Sequence, residues 1–168
     1  RHASVRILDR VVHKTFTVEP CEFTGERLPI AATKATPLGD LHVELYFRDS
    51  ESAERGVAVC KDGTRVLRDV TELEQLRHAP WTDGRLEGVL DYSALGLSPG
   101  TRSGIEPDER LMTFLAAVQA LEPAIQQAMA SRDAAESARA SRDILKQVHK
   151  AFVTALRELP ASEYLFFD

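Results

Sequence analysis

Long apolar runs are missing from this chain: none approaches the roughly 20 residues that a bilayer-spanning helix needs. No basic-then-apolar leader follows Arg1, and an opening on Arg rather than Met points to a segment of a longer polypeptide. Cysteine is scarce. Cys21 and Cys60 are the only two, and neither has a histidine at metal-ligand spacing. Their count allows one disulfide, but nothing else looks secreted, so a reduced pair in a cytoplasmic protein is expected.

Catalytic signatures are missing too. The five histidines, His2, His13, His42, His78 and His149, are scattered, with no H-E-x-x-H or C-x-x-C pattern. There is no Walker A loop and no G-x-G-x-x-G after a strand. "GTRSG" is out of register for a nucleophile elbow, because Ser103 is followed directly by Gly104. An autonomous enzyme is therefore the least supported class, with no metal site expected.

What is present suits a folded domain with an appendage, or two small domains, in 168 residues. The hydrophobic share of 43% supports a core, and the charged share of 28% is ordinary for a surface. A formal net charge of -5 argues against a broad nucleic-acid-binding face.

The first part reads as strands. "SVRILDRVVH" is rich in β-branched and aliphatic residues, and "HKTFTVEPCEF" alternates. "TGERLPIAATKATPLGD" reads as loop, and "LHVELYF" as the clearest strand, with Leu41, Val43, Leu45 and Phe47 on one face. "GVAVCKDGTRVL" reads as a hairpin turning at Asp62-Gly63. "RDVTELEQL" has helical spacing, with Val70, Leu73 and Leu76 three apart; "RHAPWTDG" breaks it, with Trp81 expected in the core. "RLEGVLDYSALGL" is a further strand.

From Pro107 the period changes to three and four: Leu111, Phe114, Leu115, Val118, Leu121, Ile125 and Met129. Pro107 is expected in the first helical turn, with Asp108 and Glu109 at the positive end of the dipole. Met112 and Met129 are expected in the core. Pro123 should kink or end this helix, at a cost of about 3 kcal/mol were the helix regular. "ASRDAAESARASRD" has little to bury and reads as a solvated helix or a loose connection. Ile144, Leu145, Val148, Phe152, Leu156 and Leu159 form a second stripe, so the C-terminal part is a helical hairpin or one long arm. The terminal "EYLFFD" suits either a segment tucked on the sheet or a docking strand.

The expected fold is α/β (α+β-like): a mixed β-sheet with a long packed helix, followed by a C-terminal helical hairpin or arm. The division is 1–106 mainly β, 107–130 the helix completing that domain, and 131–168 a helical extension.

The stretch "LSPGTRSGIEPDERL" joins the last strand to the long helix and places Arg102 between Gly100 and Gly104. On the residues alone, Arg102 is either a solvated arginine pairing with Glu106 or Asp108, or a phosphate ligand. "GVAVCKDGTRVL" resembles the G-V-x-(V/I)-x-(R/K)-(N/D)-G-R-x-(V/I) hairpin of the transducer domain in GHKL ATPases, a superfamily spanning gyrase B, MutL-type, large heat-shock chaperone and MORC-like proteins. "PWTDGRLEGVLDY" is similar to the W…G-x-I-D run of bacterial and MORC-like members, and the segment after it to their strand, loop and helix. The resemblance covers roughly residues 40 to 125.

That resemblance implies a conformational transducer. A cation on this loop, by position Arg102, would contact the γ-phosphate of ATP held in a separate N-terminal domain, with Gly100, Thr101, Ser103 and Gly104 forming the rest of the nucleotide-facing loop. The family's cation is usually Lys, and its N-V-H-P flank is here "GLSP". The ATP-binding boxes are absent, so ATP and Mg would belong to the parent protein and this chain alone would be inactive. The implied partners are that GHKL nucleotide-binding domain and a second subunit, with no membrane. Duties of the parent would include DNA or chromatin handling, phage defence or chaperone action. The alternative is a non-catalytic protein-interaction or dimerisation domain.

Overall fold

A computed structural model describes residues 5–18, 23, 25–48, 56–98 and 104–158. Its contacts divide the chain into two compact units, Arg1–Glu122 and Pro123–Asp168.

The first unit holds the sheets. β1 (Val5–Asp9) and β2 (Lys14–Val18) form a two-stranded antiparallel ribbon. β3 (Thr33–Thr36), β4 (Gly39–Phe47), β5 (Val57–Lys61), β6 (Thr64–Leu67) and β7 (Leu86–Tyr92) form a mixed sheet in the order β3-β4-β7-β5-β6. β7 is central, antiparallel to β4 and parallel to β5. The chain is therefore of the expected α+β class.

Alternation sets the two faces of that sheet. Leu41 pairs with Tyr92, Val43 with Leu90 and Phe47 with Leu86, and all six side chains are buried. α1 (Glu109–Gln119) contributes Leu111, Phe114, Leu115 and Val118 to the core, and the Tyr92 and Phe114 rings lie 5.9 Å apart. Asp62 (φ 52°) and Gly63 (φ 76°) both adopt the left-handed conformation of a two-residue hairpin turn.

Several expectations change. The loop expected before β4 contains β3, a four-residue edge strand whose register is fixed by pairing with β4. "RDVTELEQL" forms two 3-10 turns, Val70–Glu72 and Glu74–Leu76, because a spacing of three matches three residues per turn. Pro107 lies outside α1. Asp108 takes the cap, since its carboxylate accepts from the N–H groups of Arg110 and Leu111, which a proline side chain cannot do. Met112 is 64% exposed, one position round from the Leu111, Phe114, Leu115 face.

The helix expected over 107–130 is interrupted. α1 stops at Gln119, and α2 (Glu122–Glu158) begins one residue before Pro123, whose missing N–H costs nothing in a first turn. α2 runs unbroken through the alanine-rich stretch, so the extension is one helix and not a hairpin. Cys60 is a buried thiol, while Cys21, Leu159 and "EYLFFD" lie outside the described residues. No helix among the described residues is long and apolar enough to cross a membrane.

Candidate functional site

The connection from β7 to α1 is tied at both ends. On the strand side, Tyr92 anchors it: its hydroxyl is 2.8 Å from Thr36 Oγ1, and the Leu95 N–H reaches back to the Tyr92 carbonyl at 3.3 Å. Lys61, at the end of β5, donates through Nζ to the carbonyl oxygens of Ser93 (2.8 Å) and Leu95. A cation immediately before the hairpin turn thus holds the outgoing chain against β5.

The two arms of the loop then pair. Leu97 and Ile105 form an antiparallel bridge, the Ser98 N–H donates to the Gly104 carbonyl at 2.9 Å, and the Glu106 N–H donates to the Gly96 carbonyl at 2.9 Å. Gly96 is buried. A Cβ there would stand 3.0 Å from both Asp108 Oδ2 and Glu106 Oε2, so a side chain at this position would need the two carboxylates to shift by a few tenths of an ångström. Asp108 links this base to the helix through its cap bonds and lies 3.8 Å from Arg110 Nε.

Of the five sequence-predicted site residues, Gly104 is placed in this base, where its carbonyl is used by Ser98. Gly100, Thr101, Arg102 and Ser103 lie outside the described residues. An open hollow of about 360 Å³ lies beside the base, lined by Lys61, Asp62, Thr64, Val66 and Leu97. Sequence reasoning missed Lys61. Its partners lie 32 and 34 residues away, and no local pattern records that contact.

A second polar group covers the opposite face of the sheet. His42 pairs across to Asp91, Glu44 to Val89, and Cys60 to Asp91. Asp91 Oδ2 accepts from the Gly63 N–H at 2.7 Å, while its buried Oδ1 accepts no hydrogen bond among the described residues. Arg27, His42, Glu44 and Asp91 border an open hollow of about 340 Å³. Cationic and anionic groups are mixed there, and no set of three or more His, Cys, Asp or Glu among the described residues is arranged to hold a metal ion.

The described arms of the connection, 96–98 and 104–106, are bonded to each other and join a central strand to a capped helix. Compared with family models, curated proteins and solved structures, the chain matches none.

Proposed function

We propose that this chain is the transducer portion of a cytoplasmic GHKL-type ATPase and that Arg102 reports the nucleotide state of a separate N-terminal domain. Two observations of different kinds support it: the hairpin and strand motifs that resemble the family, and the tied loop base. The base carries the argument. A contact made at residues 99–103 would pull on Ser98 and Gly104, and through Gly96, Glu106 and Asp108 on the first turn of α1.

ATP and Mg, bound in the other domain, supply the phosphoryl chemistry. The residues of this chain orient and sense. A guanidinium forms a charge-assisted bond to a phosphate worth about 1.5–3 kcal/mol net. A contact present with ATP and lost with ADP converts hydrolysis into a change of domain arrangement.

The reading requires a GHKL nucleotide-binding domain ahead of this segment in the parent polypeptide. In that protein, Arg102→Ala should lower ATP turnover about tenfold to a hundredfold, in line with the loss of one such bond, with fold and oligomeric state unchanged. A parent without that domain, or an unchanged rate, overturns the proposal. The alternative, a non-catalytic interaction domain, is favoured by one observation: Ile144, Leu145, Val148 and Phe152 of α2 are all at least 60% exposed.

A further inference from the structure

α2 carries a seam with a seven-residue period and an asymmetry along its length. In the N-terminal half the seam positions are small: Ser131, Ala134, Ala138 and Ser141. In the C-terminal half they are large: Leu145, Val148 and Phe152, with Ala155 closing the run. At 100° per residue these positions share one face. Asp133, Glu136, Arg139, Asp143, Lys146 and Lys150 lie on the other. Two intrahelical pairs, Arg132–Glu136 at 2.8 Å and Asp143–Lys146 at 3.7 Å, sit outside the seam. All eight seam residues are exposed.

We propose that α2 pairs with α2 of a second copy of this chain, antiparallel, about a two-fold axis beside residue 143. Ala134 then meets Phe152 of the second copy, Ala138 meets Val148, and Ser141 meets Leu145, with the same three pairs repeated beyond the axis. Each of the six layers from Ala134 to Phe152 holds one small and one large side chain, so the helices stay evenly spaced and those layers fill, and a small Ser131–Ala155 layer closes each end. A parallel pairing would set Ala134 on Ala134 and Phe152 on Phe152, leaving gaps in one half and crowding the other. An unrelated partner would not require one half of the seam to complement the other half about a single point. Self-complementarity about a point is what a two-fold interface requires. The overlap, 131–155, is about 37 Å long at 1.5 Å per residue. The proposal does not depend on the ATPase reading.

The test combines sedimentation with site-directed cross-linking of the whole chain. The expected species is a dimer. Leu145→Asp, at a site 66% exposed, should raise its dissociation constant at least a hundredfold without changing helix content by circular dichroism. Ala138→Cys chains mixed with Val148→Cys chains should be joined by a short bis-maleimide, with the linked peptides identified by mass. Neither variant should link to itself, because like positions lie about 15 Å apart along the pair. A monomer at every accessible concentration, a dimer that survives Leu145→Asp, or self-linking of either single variant overturns the proposal.

Discussion

The indole N–H of Trp81 donates to Glu122 Oε1 at 2.8 Å, and His78 Nε2 lies 2.9 Å from the same oxygen. One carboxylate at the first position of α2 thus collects two side chains from the segment after the 3-10 turns. Trp81 is 5% exposed, so its N–H has little water to turn to. Removing the acceptor leaves a buried donor unsatisfied, which costs about 1–3 kcal/mol. Glu122→Ala should therefore destabilise the fold by about that amount in chemical denaturation. Glu122→Gln keeps an acceptor oxygen and should recover more than half of it; equal losses in the two variants would show that the bond to Trp81 is not the source.

Parts of this were legible in the sequence and parts were not, for physical reasons. β4 and the β5–β6 hairpin announce themselves because alternation and Asp62-Gly63 are local signals. The buried face of α1 also follows from local period. β3 does not, because Thr33, Lys34, Ala35 and Thr36 have little pattern of their own and acquire one only by pairing with β4. The joining of Trp81 to Glu122, 41 residues apart, and of Lys61 to the loop base are tertiary facts with no sequence period. The second apolar stripe was visible as a stripe, but its exposure at Leu145 and Phe152 was not, since period reports a face and not what covers it.

Gly88 sits where no other residue fits well. Its φ is 152°, and a Cβ would collide with the Glu44 carbonyl oxygen on the neighbouring strand β4. It lies in the core layer between Leu45 and Val57 on the two strands flanking β7. Gly88→Ala should cost more than about 2 kcal/mol, from backbone strain together with displacement of a main chain. Thermal unfolding of the variant checks this; a midpoint within a degree of the wild type would contradict it.

Asp9 closes the β1–β2 ribbon. Its Oδ1 accepts from the N–H groups of Val12 at 3.0 Å and Val11 at 2.8 Å, and these bonds hold its carboxyl below the ordinary value of 3.8. A carboxyl whose folded pKa is depressed stabilises the fold above its unfolded pKa, and that contribution disappears as pH falls through the folded value. The turn should thus be intact above about pH 4 and loosen below the Asp9 midpoint. Carboxyl-carbon NMR should give that midpoint below 3.8, with the Val11 and Val12 amide shifts following the same curve. A midpoint at or above 3.8 would rule out these bonds in solution.

Lys61 offers the most direct check of the loop base. Its ammonium group donates to two carbonyl oxygens at the start of the connection. Lys61→Met keeps the aliphatic stem and removes the donors. Hydrogen bonds from a charged donor contribute about 1.5–3 kcal/mol, less at this partly exposed site, so global stability should fall by about 1 kcal/mol. The local effect should be larger and specific. The Ser98 and Glu106 amides, which close the loop, should exchange with solvent at least tenfold faster, while the Val43 amide in β4 follows only the global change. If Ser98 and Glu106 change no more than Val43, the base is held by its own backbone pairs and Lys61 is not a brace.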